Sequence, residues 1–332
     1  MEAYVIRRFG GPEVFEKGNI AQPQVYPGQV LIKVCATSVN PVDCKIRQGK
    51  LAAIAPDFPA VLHGDVSGIV ESTATDVTHL KPGDEVYACA GGVKGMGGAL
   101  AEFILADASL VAKKPRTLNH REAAALPLVG ITAWSALMDK AGVKNGDNVL
   151  VYGGTGGVGH VGVQLAKAAG ANVVATCSSD SKAAMLRDLG IEQYFNYRQM
   201  DIETCVDKFT GGKGFDVVFD TVGGENIQHA FKAAALNGKV VSVSTRSSQD
   251  LSLMHAKGLT LYVVFMLIPL LHNVGREHHG EILKNIAAMV DDRKIMPLLD
   301  RSQFKLADVA QAHARLESGE ATGKIVLEAD SQ

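Results

Sequence analysis

The stretch Asn148-Val-Leu-Val-Tyr-Gly-Gly-Thr-Gly-Gly-Val-Gly159 decides how the rest of the chain is read. An apolar run from Val149 to Tyr152 meets a cluster of glycines. Gly154, Gly156 and Gly159, with Thr155, Gly157 and Val158 between them, have the spacing G-x-G-x-x-G. That spacing alone is a weak signal. Here it leaves a strand and opens a helix, because Val161, Leu165 and Ala168 recur on one helical face, and a second apolar strand follows at Asn172–Thr176. In this setting one glycine allows a sharp turn, one lets the main chain touch a pyrophosphate, and one lets the helix pack tightly on the strand. The helix N-terminus adds free N–H groups and a partial positive charge. Residues 154 to 159 are therefore expected to bind a dinucleotide.

Working outward, the rhythm stays strand, helix, strand, helix. Strands are expected at Asn148–Tyr152, Asn172–Thr176, Gln193–Asn196, Asp216–Asp220 and Lys239–Ser244, with helices near 158–169, 181–189, 201–209 and 225–236. Such alternation implies parallel strands joined by right-handed crossovers, a doubly wound α/β sheet. Residues 1 to about 120 read differently. Gln29–Cys35 follows Pro27-Gly28, and Asp84–Ala88 follows Pro82-Gly83, both turn-then-strand signals. Val61–Glu71 is apolar but carries Gly64 and Gly68, which mark a bulge or a close approach. This third is expected to be mostly antiparallel β. Asn119 with Glu122 forms a capping box, so a helix should follow and Pro127 should interrupt it. The tail adds helices at 277–291 and 306–317 and a strand at Lys324–Glu328.

The chain has 332 residues, which favours two domains. Lys plus Arg number 33 and Asp plus Glu 35, a net charge of −2, so no overall field draws the chain to nucleic acid or an anionic membrane. The longest apolar run, Leu259–Leu271, is too short for a bilayer and reads as a buried strand. Five cysteines without a CxxC pair argue against a disulfide framework or a four-cysteine zinc lobe. With no secretory signal at the N-terminus, a soluble, cytoplasmic protein is expected. His278-His279 reads as a solvated helix start.

The second strand ends in Cys177-Ser178-Ser179, where an NAD site usually carries an acid for the ribose 2′-OH. Asp180 lies beyond and is expected to cap the next helix. Ser178 and Lys182 could instead hold a 2′-phosphate, which favours NADPH.

At this point the chain resembles the medium-chain dehydrogenase/reductase superfamily, in particular its zinc-independent quinone oxidoreductase branch, which includes zeta-crystallin. The resemblance rests on Ser38-Val-Asn-Pro-Val-Asp43, Pro59-Ala-Val-Leu-His-Gly-Asp-Val-Ser-Gly-Ile-Val70, Lys81-Pro-Gly-Asp-Glu-Val86, Gly130-Ile-Thr-Ala133, the glycine loop, and Gly323-Lys-Ile-Val-Leu327. It implies a GroES-like, mostly β catalytic domain formed by 1–122 with 266–332, and a Rossmann domain over 123–265. It places the active site in the cleft between them. Asn40 and Asp43 would sit near the nicotinamide and the substrate, and Thr132 at the nicotinamide end. Ser178, Lys182 and Tyr197 would surround the 2′-phosphate.

Zinc-dependent relatives use a cysteine, a His–Glu pair and a second cysteine as ligands. By motif match these positions hold Asn40, Gly64, Asp65 and Pro127, so no metal is expected. An improvised site from Cys44, His63 and Asp65 has plausible ligand types but no supporting spacing. Without a Lewis acid to generate an alkoxide, an acceptor already poised for hydride is favoured: a quinone or an α,β-unsaturated carbonyl. The chain has no Tyr-x-x-x-Lys, no P-loop and no G-x-S-x-G. The competing readings are an NADPH-binding structural or sensory protein with negligible turnover, or an alcohol/aldehyde oxidoreductase. The resemblance also implies a homodimer through a Rossmann sheet edge.

Overall fold

In a computed structural model, which describes residues 1–329, the strand Asn148–Val151 is central to a six-stranded parallel sheet. Its neighbours are Asn172–Cys177 on one side and Phe215–Asp220 on the other. Outside these lie Gln193–Asn196 at one edge, and Ala234–Ser242 followed by Thr260–Val263 at the other. Numbered along the chain, the order is 3-2-1-4-5-6. The order reverses beside the first strand, and ligands of doubly wound sheets bind at the C-terminal end of that switch point. Both faces of the sheet are covered, so the strands are apolar on both sides: Val149, Leu150, Val151, Val217, Val218 and Phe219 are all buried. The helix Gly157–Ala168 packs close because Gly162 has no side chain; a Cβ there would lie 2.8 Å from the Phe219 ring.

Two expectations for this sheet are corrected. The strand expected at Lys239–Ser244 runs from Ala234 to Ser242, because the helix before it ends at Ala233; its pairing shifts register between Ala234 and Lys239, a stretch that contains the left-handed Asn237. The run Leu259–Leu271 is not one buried strand. Only Thr260–Val263 pairs, and it does so at the sheet edge, with Val263 half exposed; Ile268–His272 is a short helix. Pro269 at its first turn suits a helix start and cannot continue a ladder.

The first third is antiparallel β. Gln29–Ser38 pairs with Asp65–Thr73 and Phe103–Asp107, and Asp65–Thr73 passes the ladder on to Glu85–Cys89 and Val111–Lys113. Gly68 is required by a close approach: a Cβ there would fall 2.1 Å from the Lys33 carbonyl oxygen, beside a register shift in the same ladder. The tail strand Val326–Glu328 pairs with Ala36–Ser38 and carries the short edge strand Phe304–Lys305 on its other side.

The chain divides into two compact units. One comprises Met1–Leu128, Leu267–Asp292 and the chain from Pro297 onward; the other comprises Val129–Met266 with Arg293–Met296. Residues 123–128, expected with the Rossmann part, belong to the first unit. Ala124 and Ala125 pack on Ala36 and Val326 there, and the Leu128 N–H bonds to Asp65. Arg293–Met296 joins the second unit through Gln164, whose side chain bonds both the N–H and the carbonyl of Met296. The last three residues of the tail, 330–332, lie outside the described residues. Pro127 does divide the helical segment, opening Pro127–Trp134 after the capped turn His120–Ala123.

Candidate active site

In the second unit, the sharp turn after the first strand is made at Gly153, with φ of 69°, one residue before the fingerprint begins. Gly153 donates to Thr176 Oγ1 at 2.9 Å and Gly154 to the Thr176 carbonyl at 3.2 Å, which ties the loop to the second strand. Two fingerprint glycines are needed because the protein packs on itself. A Cβ on Gly154 would sit 2.8 Å from that of Ala175, and one on Gly159 would sit 2.0 Å from the Gly153 oxygen. Gly156 differs. The nearest atom to a Cβ there is the Gly153 oxygen at 3.2 Å, and no side chain of the described residues comes within 4 Å of that position. Gly156 is also the N-cap of Gly157–Ala168 and offers no side-chain cap. The N–H of His160 reaches the Gly156 carbonyl, whereas those of Gly157, Val158 and Gly159 precede the helical ladder. A bare cradle with three opening amides is the donor set that a pyrophosphate needs, so the loop fits a dinucleotide.

The far end of that ligand would meet the ends of the second and third strands. Cys177 is in register with Asn196, and the Tyr197 N–H bonds to the Cys177 carbonyl at 3.2 Å. Ser178 and Tyr197 therefore leave the same edge, Ser178 half-buried and Tyr197 exposed. Lys182 lies in the first turn of Asp180–Asp188. The cap of that helix is Ser179, whose hydroxyl accepts from the Lys182 N–H; Asp180 is the first helical residue and not the cap expected. Arg198, which sequence reading passed over, is exposed next to Tyr197, its N–H held by the Asn196 side chain. Thr132 is buried within Pro127–Trp134 in this unit.

The first unit builds a different kind of site. Asn40 caps the helix Pro41–Arg47, and Asp43, in its first turn, accepts the Asn40 N–H at 2.8 Å, a reciprocal capping box. Burial pushes the Asp43 carboxyl up to about 7, opposed by that N–H and reinforced by the nearby Asp65. Asp65 gathers four donors. Its Oδ2 accepts from Ser38 Oγ at 2.7 Å, Asn40 Nδ2 at 2.8 Å and Lys324 Nζ at 3.3 Å, and its Oδ1 from the Leu128 N–H at 2.7 Å. Lys324, from the opposite end of the chain, also bonds Asn40 Oδ1 and the Val39 carbonyl. Asn40, Asp43, Asp65 and Lys324 are all buried.

Behind this cluster runs a chain of buried hydrogen bonds. Thr37 donates to the Asp65 carbonyl at 2.5 Å, so its oxygen accepts from His63 Nδ1 at 3.3 Å. His63 must then accept at Nε2 from His313 Nε2, 2.9 Å away, and His313 accepts at Nδ1 from the Cys44 thiol at 3.3 Å. Burial agrees with these assignments. It drives His63 well below the usual imidazole range, brings His313 down to about 3, and pushes the Cys44 thiol up to about 12. His63 holds φ of 72°, a strained value for a side-chain-bearing residue.

Sequence reading missed Lys324 and His313 as site neighbours; the signal was present for Lys324, in the closing Gly323-Lys motif. His279, expected in solvent with His278, is buried on the core side of Arg276–Asp291, because the helix turns the second histidine inward. The improvised ligand set Cys44, His63 and Asp65 does not converge: Cys44 meets His313 at the ring nitrogen opposite the one that faces His63. The motif-matched metal positions do not suit zinc either. Asn40 Oδ1 is engaged by Lys324, Gly64 has no donor, Asp65 is occupied by four hydrogen bonds, and Pro127 has none to offer. Among the described residues no group of three or more His, Cys, Asp or Glu is placed to hold a metal ion.

These features, a glycine-started helix at a parallel-sheet switch point and a β unit completed by the tail, define a medium-chain dehydrogenase/reductase. Comparison with known proteins places the chain. The family model for the alcohol dehydrogenase GroES-like domain matches residues 26–116, and that for zinc-binding dehydrogenase matches 189–327. The chain is 35% identical to the chloroplastic NADPH-dependent alkenal/one oxidoreductase of Arabidopsis thaliana, over 98% of this chain and 79% of that protein. It is 30% identical to the quinone oxidoreductase of Homo sapiens, over 98% and 97%. An alcohol dehydrogenase superfamily protein from Novosphingobium aromaticivorans superposes with a TM-score of 0.95 at 36% identity, covering 99% of this chain and 100% of that one. The chain belongs to the medium-chain dehydrogenase/reductase superfamily, in its quinone oxidoreductase branch.

Proposed function

We propose that this chain is an NADPH-dependent oxidoreductase that reduces a quinone or an α,β-unsaturated carbonyl. The observation that carries the proposal is the bare, uncapped cradle at Gly156, which no side chain of the described residues fills. The named activities of the alkenal/one and quinone relatives support the substrate class. NADPH, when bound, supplies the hydride. The chain's own residues have three tasks. Within the loop 154–159, the open amides of Gly157, Val158 and Gly159 hold the pyrophosphate, and bare Gly156 lets it approach. Ser178, Lys182 and Tyr197 take the 2′-phosphate, with Arg198 beside them. In the second unit Thr132 is assigned to the nicotinamide end; in the first, Asn40 and Asp43 are assigned to the acceptor. Hydride addition to such an acceptor creates a delocalised anion, which a few hydrogen-bond donors stabilise while water gives the proton. Orienting donor and acceptor supplies roughly 7–11 kcal/mol of the barrier in favourable cases.

The test is steady-state NADPH oxidation with a panel of quinones and enones. Turnover with at least one is expected. Tight NADPH binding with no turnover on any acceptor would favour the structural or sensory reading.

The same reading makes the protein a homodimer. Among the described residues Thr260–Val263 is paired on one side only, and Val263 and Phe265 are exposed beside it, an apolar edge of the kind that a second copy covers. A light-scattering mass of twice 35.1 kDa is expected, and a monomer mass would reject the dimer. The five cysteines are all free thiols, which suits a reducing compartment such as the cytoplasm; imaging of a tagged chain tests that placement. No described helix is long and apolar enough to cross a membrane.

A further inference from the structure

Lys324 is 3% exposed, and its main chain is pinned on both sides: its N–H bonds the Leu298 carbonyl, and its carbonyl accepts from Asp300. An ammonium has three donors and no acceptor. Each donor of Lys324 has a defined acceptor in the first unit: the Val39 carbonyl at 3.1 Å, Asn40 Oδ1, and Asp65 Oδ2 at 3.3 Å. A saturated ammonium of this kind touches no reacting atom without breaking one of these bonds. Its influence passes through what it holds.

What it holds is the Asn40 amide. Asn40 Oδ1 faces a group that only donates, and Asn40 Nδ2 faces the Asp65 carboxylate at 2.8 Å. Turning the amide over would set its NH₂ against the ammonium and its oxygen against the carboxylate. The orientation is therefore locked from both sides. Nδ2 carries two hydrogens: Asp65 takes one, and the Asp43 carboxyl, which also draws a side-chain hydrogen bond from Asn40, competes with the acceptor for the other. A cation on the amide oxygen polarises the group and strengthens its remaining N–H as a donor.

We infer that Lys324 is a positioning residue for the reduction: with Asp65 it locks and polarises the Asn40 amide, so that the second Nδ2–H is offered to the acceptor's oxygen. The inference rests on the reductase reading above. As the acceptor carbon bonds the hydride, the electron pair of its conjugated double bond moves onto the carbonyl oxygen. Water then gives the proton, and the cofactor is left oxidised. The Asn40 N–H stabilises the negative oxygen in that interval.

The experiment combines kinetics and NMR on the full chain. Wild-type turnover is measured first, so failure of the reductase reading shows there. Lys324→Met alone strands a buried carboxylate, so the variant used pairs it with Asp65→Asn, which removes both charges together. Expected are unchanged NADPH binding by fluorescence, acceptor KM within about threefold, and kcat lowered about 100-fold, the scale of a lost oxyanion donor. Asn40→Ala should cost a similar factor in the wild type and little more in the paired variant. Wild-type kcat in the paired variant, or an undiminished Asn40→Ala loss there, overturns the inference. If the paired variant does not fold, ¹⁵N-labelled wild type decides. With NADP⁺ and a quinone, a mixture that cannot react, one Asn40 Nδ2 hydrogen should shift and its partner hold still. No shift at either hydrogen overturns the inference.

Discussion

The glycine loop at 153–159 and the Asn40–Asp65–Lys324 cluster handle charge by opposite means. The loop is contiguous and uses main-chain amides, and its specificity comes from side chains that are missing. The cluster draws on four separate segments, around residues 40, 65, 128 and 324, and uses buried side chains that satisfy one another. A loop of amides tolerates the removal of any one side chain nearby. A buried ion pair does not tolerate the loss of one partner. The two regions should therefore fail differently under substitution.

The largest effect is expected in the cluster. Lys324→Met alone should destabilise the chain by about 3–5 kcal/mol, the cost of an uncompensated buried charge, read by urea unfolding. A loss below about 1 kcal/mol would mean that Asp65 finds another partner. The loop should divide under alanine. Gly159→Ala drives a methyl into the Gly153 carbonyl and should cost about 1–3 kcal/mol of stability as well as cofactor binding. Gly156→Ala should leave the melting temperature nearly unchanged and weaken NADPH strongly. Equal melting losses for the two variants would refute the distinction between a glycine required by packing and one kept bare for a ligand. Lys182→Ala should weaken NADPH by about 1.5–3 kcal/mol and leave NADH almost untouched, as titration calorimetry can show. Matching losses for both coenzymes would remove Lys182 from the 2′-phosphate.

A last effect, spread over several pH units, concerns Asp43. Burial pushes its carboxyl up to about 7 in the folded chain, against an ordinary value of 3.8. Between those values the folded chain holds a proton that the unfolded chain has released. The stability Asp43 contributes is thus complete at low pH and is lost as pH rises toward 7. Asp43→Asn keeps an acceptor for the Asn40 N–H and removes the titration. Relative to wild type, the variant should gain stability from pH 5 to pH 8, by at most about 1.4 kcal/mol per unit crossed. Comparison at equal pH cancels the opposite trend from His63 and His313, whose stabilisation is lost as pH falls. A flat difference between variant and wild type would show that Asp43 is not so perturbed.

Much of the second unit was legible because its signals are local. The strand before Gly153, the glycine spacing and the helical recurrence of Val161 and Leu165 lie within a few turns of one another. The misreadings there were of length and edge. Leu259–Leu271 is an apolar run broken by Thr260 and Pro269, and periodicity alone does not say that pairing stops at Val263 or that Pro269 begins a helix. Ser179 and Asp180 are both good caps, and which one serves depended on where the second strand stopped. In the first unit Asn40 and Asp43 were picked out by motif, and a Pro after an Asn with an Asp three residues on is itself a helix-start signal. Nothing near them in sequence pointed to Lys324 or His313.

The order of residues by itself determined the strand–helix alternation, the glycine cradle and the chemistry of its neighbours, because each depends on interactions between residues close along the chain. The tertiary structure alone decided that a lysine just before the last strand would orient an asparagine some 280 positions earlier. It also decided that two distant histidines would share one hydrogen bond, and that a carboxyl in the first helix would titrate near neutrality. Each of these depends on burial and on which segments are brought together. Those follow from how the β ladders close around one core, and residue order reaches them only through the folded chain.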